Sequence, residues 1–429
     1  LAETVTPSVK RFRSRKPSDP SEAMSHLRQR LASLGVSKGY NFPTRPRMSR
    51  QGIEELVQGT LHQTSNGPVF RVAKTYPVGS MHGETPLIDW LAQSQYTIAR
   101  IGDDERLCRA GPGRFVFLDT ETTGLGGAGT LVFLIGIGFF NARGDFEIHQ
   151  FFLREPAEER AMLGLVQEAV WPDGGLVTFN GHTFDLPLLA DRYLLSKLHS
   201  HLPTLPNLDL LLPARRLWRR RLSSCRLSAL EREVLGLRRA EADVPGWLIP
   251  ALYQHYLLTG DAHEMPRVLY HNEQDVLSMV SLAVILCRTF EQPQSPTIPV
   301  DDRLSLARWY QRHGMLTECE TVYRLIMDDQ ADGGARAEAL SGLATLLKRG
   351  GRSGEAVPLW EHLADLKLDT VGHEELAKYY EWQVGDLTRA LAWTDAGIAL
   401  ALTWQPGLRR AEAIRALDHR RARLLRKIG

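Results

Sequence analysis

The chain has 429 residues, of which 43% are hydrophobic and 24% charged, with a formal net charge of +2. That length exceeds one ordinary core and implies two or three domains of a globular, water-soluble type. The longest apolar run, TLVFLIGIGFF at 130–140, is too short to span a bilayer and reads as a buried strand, so no membrane association is expected. No apolar signal core opens the chain, which argues against secretion. Four scattered cysteines without a CxxC pair argue against a zinc cluster or disulfide framework and fit a reducing cytoplasm.

In chain order, residues 1–50 hold eleven Lys/Arg against three acidic residues, about +8, and are expected to be a basic, disordered tail. Residues 51–110 read as a small accessory segment, with one or two strands in PVFRVAKTYPVG. From 111 to 290, strands alternate with helices. RFVFLDTETTGL is a strand, LVFLIGIGFFNARGDFEIHQFFL two more, and EPAEERAMLGLVQEAV a helix. GLVTFNGHTFDLPLL is a strand running into a helix, and 265–290 is a further helix. This order predicts an α/β domain with a mixed sheet flanked by helices.

EQPQSPTIPV at 291–300 reads as a Pro-rich linker. Beyond it, LARWYQRHG, LATLLKRGG and LAKYYEWQVG resemble one another. Ala307, Ala344 and Ala377 are spaced by 37 and 33 residues, and so are Tyr323, Trp360 and Trp393. The shared spacing predicts tetratricopeptide-like helical repeats over 301–429 and a concave face for a protein partner. An irregular helical bundle is the alternative. The stretch 215–239 holds nine arginines against two glutamates, about +7. Such a run either attracts phosphate backbones or is a solvated face.

Three acidic segments carry the chemistry. In FLDTETTG, Asp119 and Glu121 stand two apart at a strand end, so both carboxylates point the same way. They repel unless a cation lies between them, and hard oxygen ligands suit Mg²⁺ or Mn²⁺. In FNGHTFDLPLL, Asp185 stands at a strand-to-helix junction. In LYHNEQDVLSM, Asp275 lies on a helix. Each segment alone also reads as ordinary structure: a polar strand end, an N-cap, an exposed helical carboxylate. No phosphate loop and no framed serine nucleophile competes with them.

Taken together, DTETTG, then N-x3-FD, then a His or Tyr shortly before an Asp resemble the ordered signature of the DEDD 3′–5′ exonucleases, whose fold is ribonuclease-H-like. FLDTETTGLGGAGTLVFLIGIGFF, SALEREVLGLRRAEADVPGWLIPALYQHYLLTGD and HNEQDVLSM further resemble the bacterial YprB-like proteins, predicted exonucleases, some with tetratricopeptide-like repeats. The resemblance implies a two-metal phosphodiesterase acting on single-stranded DNA or RNA, with two Mg²⁺ or Mn²⁺ ions. By that resemblance Asp119 bridges both ions, Glu121 and Asp275 hold the one that activates water, and Asp185 acts from the other side. A nucleic-acid-binding scaffold and a structure-specific endonuclease are the competing readings.

One departure stands out. One DEDD branch has a Tyr four residues before its last Asp and the other a His five before. Here His271 is at minus four and Tyr270 at minus five. On a helix the minus-four residue shares the face of Asp275 and the minus-five residue is turned about 140° away. His271 is therefore the expected general base. Thr122, Asn180 and Phe184, which flank the carboxylates, and Arg216, Arg219 and Arg220, in the basic stretch, are the candidate nucleic-acid contacts.

Overall fold

The computed structural model describes residues 51–429 apart from 125, 128, 241–242 and 329–332. The expected tail over 1–50 lies outside the described residues. Seven strands form one mixed sheet: β1 (Thr60–Thr64), β2 (Gly67–Tyr76), β3 (Phe115–Thr122), β4 (Val132–Phe140), β5 (Phe146–Phe152), β6 (Gly175–Thr178) and β7 (Asn207–Asp209). Their order is β1-β2-β5-β4-β3-β6-β7. β3 pairs antiparallel with β4 and parallel with β6. Residues 51–110 thus share the sheet: β2 runs antiparallel to β5 from Phe70↔Phe152 to Tyr76↔Phe146.

Besides the single turn Ile53–Leu56, the α-helices of this part are α1 (Gln95–Gly102), α2 (Glu159–Glu168), α3 (Asp185–Leu195), α4 (Leu211–Trp218), α5 (Leu227–Glu233), α6 (Ile249–Thr259) and α7 (Met265–Glu291). β4 is apolar throughout because helices cover both faces of a central strand. The alternation of β3 divides its side chains between two cores. Phe115 and Phe117 join a core with the later part of α7, while Val116 and Leu118 join one with α2, α3 and α6. α7 contributes Val268 and Leu269 to the second core and Val276 and Val280 to the first. It crosses between cores over the interval that contains His271, Asn272 and Asp275.

Two glycines of β4 permit that crossing. A Cβ on Gly136 would lie 2.2 Å from Asn272 Oδ1, and one on Gly138 would lie 2.6 Å from Val276. Only strand positions without a side chain let the helix come this close.

After α7 a short loop leads into seven further helices among the described residues: α8 (Val300–Arg312), α9 (Leu316–Asp328), α10 (Gly333–Arg349), α11 (Ser353–Leu366), α12 (Val371–Tyr379), α13 (Leu387–Leu402) and α14 (Leu408–Ile428). The C-terminal part is therefore all-helical. Ala307, Ala344 and Ala377 are fully buried, in α8, α10 and α12. This part is not strung on a free linker. Trp309 and Tyr310 of α8 stack edge-on against Phe290 at the end of α7, with centroids 5.3 and 5.0 Å away. One apolar core runs from the sheet through α7 as far as Leu376 of α12.

Candidate active site

Asp119 and Glu121 continue the α7-facing row of β3, and the strand breaks register with β4 directly after Glu121. Such irregularities end pairing and re-aim side chains at sheet ends. Above them, α7 presents His271 and Asp275 one turn apart. Glu121, His271 and Asp275 each offer a donor atom within 4.8 Å of the others. His271 Nε2 is 3.6 Å from Asp275 Oδ2 and 4.0 Å from Glu121 Oε1. Asp119 stands beside this group, its Oδ2 accepting from Asn272 Nδ2 at 2.8 Å. Asn272 is in turn fixed by Gln150, whose Nε2 donates to its Oδ1 at 2.8 Å.

Asp185 comes from the other face. It is the first residue of α3, is buried, and accepts a hydrogen bond from Thr120, the inward neighbour of Asp119 and Glu121. Burial raises its carboxyl to about 6, against the opposing hydrogen bond from Thr120. Burial, then repulsion from Asp275 and Asp185, holds the Asp119 carboxyl well above the usual range. Glu121 is pushed up in the same way, by burial and then by Asp119, Asp275 and Asp185. This repulsion among oxygen donors, only partly offset by Asn272 and Arg239, with an imidazole at its edge, fits a site for divalent cations.

Tyr270 is turned away. It lies near the Tyr76 phenol, whose pKa is raised by burial, by the hydrogen bond to Glu273 and by Tyr270. His271, at minus four, is the residue that shares the Asp275 side of the helix.

Three participants were not singled out by sequence. Arg239 pairs with Asp275 and binds Glu231 through Nε at 2.8 Å and Nη2 at 2.6 Å. Asp243 Oδ1 lies 2.8 Å from His271 Nδ1. Asn272 is the third. Arg239 and Asp243 sit in a connection between α5 and α6, where no periodicity marks them; Arg239 figures only as the last arginine of the basic run 215–239, and both lie inside the SALEREVLGLRRAEADVPGWLIP stretch.

The cleft over Asp119 and Asp275 encloses about 470 Å³ and is lined also by Phe179, Asn180, Arg215 and Arg226. Asn180 adopts a left-handed backbone, φ 66°, which Asn tolerates better than most residues. Buried Asp209 holds its turn, accepting from the Asn180 and His182 amides at 2.8 and 3.1 Å. Phe184 is half-buried just before α3, and Thr122 is buried with its hydroxyl donating to Gly124 O at 2.7 Å.

The basic stretch divides. Arg216 pairs with Asp103, and Arg220 pairs with Asp301 at 2.5 Å and Glu338 at 2.7 Å. Arg221 binds the buried Asp302 through two nitrogens. These guanidinia fasten α4 and its end to neighbouring elements, chiefly the helical part. Arg219 is exposed. The arginines that face the acidic cleft are Arg215 and Arg226.

Two comparisons bear on the site. The profile of the RNase_H superfamily matches residues 116–287, which runs from β3 through most of α7 and includes all five residues at or beside the acidic cluster. The chain is also 35% identical over 286 residues to the uncharacterized protein YprB of Bacillus subtilis (strain 168), covering 64% of this chain and 67% of that protein.

Proposed function

The chain belongs to the RNase H superfamily, in one family with YprB, and from that premise we propose that it is a metal-dependent 3′–5′ exonuclease on single-stranded DNA or RNA. The observation that carries this reading is the convergence of Asp119 and Glu121 from β3 with Asp275 and His271 from α7, and Asp185 alongside.

Asp119, Glu121, Asp185 and Asp275 are the residues that hold two divalent ions, Mg²⁺ or Mn²⁺. When bound, such ions supply Lewis acidity to the entering and leaving oxygens of a phosphodiester. The protein does the rest. Asn272 and Gln150 fix the Asp119 carboxylate. Thr120 fixes Asp185, and Arg239 fixes Asp275. His271 faces the point between Glu121 and Asp275 and acts on the attacking water there. Arg215 and Arg226 neutralise backbone phosphates entering the cleft. Asn180 lines the cleft and Phe184, half-buried just before Asp185, is the aromatic offered to the terminal nucleotide. The helical part, read as tetratricopeptide-like repeats, offers a surface for a protein partner.

The test uses 5′-labelled single-stranded DNA and RNA of one sequence, with Mg²⁺ or Mn²⁺, beside an EDTA control and the Asp119→Asn variant. A metal-dependent ladder shortening from the 3′ end, absent in the variant, is expected. Cleavage that ignores a blocked 3′ end would make the protein an endonuclease. Binding without any cleavage would make it a nucleic-acid-binding scaffold.

A further inference from the structure

What His271 does at that point can be read from its two nitrogens. Nδ1 lies 2.8 Å from Asp243 Oδ1 and 3.0 Å from Arg239 Nη1. It cannot donate to the first and accept from the second at once. If it accepted from Arg239, the ring proton would sit on Nε2, whose nearest carboxylate oxygens are 3.6 and 4.0 Å away. Those distances are too long for a hydrogen bond. With the proton on Nδ1, Asp243 accepts it at good distance. Arg239 keeps its partners in Glu231 and Asp275. This tautomer keeps the shorter of the two Nδ1 contacts and gives up the one from Arg239 Nη1, whose nitrogen still has Asp243 Oδ2 at 3.4 Å, and it turns the Nε2 lone pair toward Glu121 and Asp275.

Asp275 is divided in the matching sense. Arg239 occupies its Oδ1, and its Oδ2 faces His271. Three lone-pair donors therefore meet at one point: a carboxylate oxygen from Glu121, another from Asp275 and an imidazole nitrogen. A ring whose far nitrogen is held by a carboxylate is the usual setting of a metal-bound histidine. Gly246 is the neighbour on the ring's open side: a Cβ there would lie 3.6 Å from Nε2.

We propose that His271 is itself a metal ligand, its one free lone pair going to the ion in place of the water-directed role given it above, completing a Glu121–His271–Asp275 site for a divalent ion such as Mn²⁺, with Asp243 as its positioning residue. This rests on the metal-dependent reading above and specifies one of its two ions. Mg²⁺ strongly prefers oxygen donors and sheds water reluctantly, whereas imidazole suits the later transition ions; Mn²⁺ shares the preference for oxygen but opens the transition series and accepts one imidazole beside carboxylates more readily than Mg²⁺ does. The exchanged order of Tyr270 and His271 then acquires a reason: the minus-four position is the one from which a side chain reaches the ion.

The experiment uses the full chain without nucleic acid. Mn²⁺ alone is titrated and followed by electron paramagnetic resonance, with spin-echo detection of ¹⁴N coupling. Mg²⁺ alone is titrated by calorimetry. Wild type is expected to show imidazole ¹⁴N coupling to Mn²⁺. His271→Gln is expected to lose that coupling and about 10-fold or more in Mn²⁺ affinity, with a smaller loss for Mg²⁺. Asp243→Asn, which preserves shape, is expected to lose about 10- to 100-fold in Mn²⁺ affinity. Circular dichroism confirms that each variant is folded. Mn²⁺ bound without ¹⁴N coupling, or equal losses for both metals in His271→Gln, overturns the ligand assignment and leaves the carboxylate site standing. Failure of the parent to bind either ion overturns both readings.

Discussion

Asn272 Nδ2 donates to Asp119 Oδ2 at 2.8 Å, joining α7 to the end of β3 across 153 residues of sequence. The bond exists because Gly136, on the neighbouring strand, leaves room for the amide. Gly136→Ala places a methyl 2.2 Å from Asn272 Oδ1. Overpacking of this kind costs about 1–3 kcal/mol. The variant is expected to unfold at lower urea and to lose cleavage, because Asn272 must leave Asp119. Asn272→Ser clears the space, so the double variant is expected to recover stability relative to the sum of the singles without recovering activity. Additive losses in the cycle would show that the two positions do not meet.

Asp119 is expected to trade stability for function. Its carboxyl is held well above its usual pKa by burial and by the charges of Asp275 and Asp185, so its ionised form is unfavourable in the metal-free fold. Asp119→Asn keeps the shape and removes the charge. In EDTA the variant is expected to be more stable than wild type, because the ionised carboxylate is disfavoured by burial and by its neighbours' charge. With saturating Mn²⁺ the order reverses, because only the parent gains binding-linked stability. Cleavage is expected to fall by roughly 10²-fold or more. Paired denaturation curves with and without metal read the crossover, and identical curves would remove Asp119 from the metal site.

His82 supplies an acid-sensitive element away from the carboxylates. It is buried, its Nε2 lies 2.9 Å from Ser278 Oγ, and Ser278 donates to Glu231 Oε1 at 2.6 Å. Burial pushes its pKa down to about 4; Glu231 opposes the shift and Arg239 adds to it. The unfolded chain takes up this proton near pH 6.5 and the native protein only near 4, so stability is full above about 6.5 and falls as the pH drops toward 4. The expected loss is roughly 3 kcal/mol. His82→Gln is expected to flatten that limb in urea titrations at pH 4–7. An unchanged limb in the variant would place the acid sensitivity elsewhere.

What was legible in the sequence follows periodicity. The two-residue spacing of Asp119 and Glu121 put both on one face of β3, and the four-residue spacing put His271 on the Asp275 side of α7. The mixed sheet and the helical C-terminal part were legible for the same reason. Arg239 and Asp243 were not, because they act from a connection whose residues repeat nothing. The arginines of 215–239 were ambiguous in kind: a charge run does not say which guanidinia meet carboxylates distant in sequence, as Arg220 meets Asp301 and Glu338. β1 and β2 pair with the sheet through contacts far apart in the chain, and weak local alternation cannot reveal such a partner.

The junction after α7 sets the last expectation. Phe290 is covered by Trp309 and Tyr310, and the Tyr310 hydroxyl donates to the Phe290 carbonyl. Arg221 and the buried Asp302 meet across the same junction. A chain ending at residue 300 strips the partners from all of these and opens the core shared by α7 and α8. Exposed apolar surface of that kind drives association. The truncated protein is expected to be poorly soluble and to bind a hydrophobic dye. A chain ending at residue 407, which lacks only α14, keeps the junction and is expected to remain soluble and cleave nucleic acid. Gel filtration and dye fluorescence of the two truncations distinguish these outcomes. A monomeric, cooperatively melting chain ending at 300 would show instead that the sheet part folds without its helical neighbour.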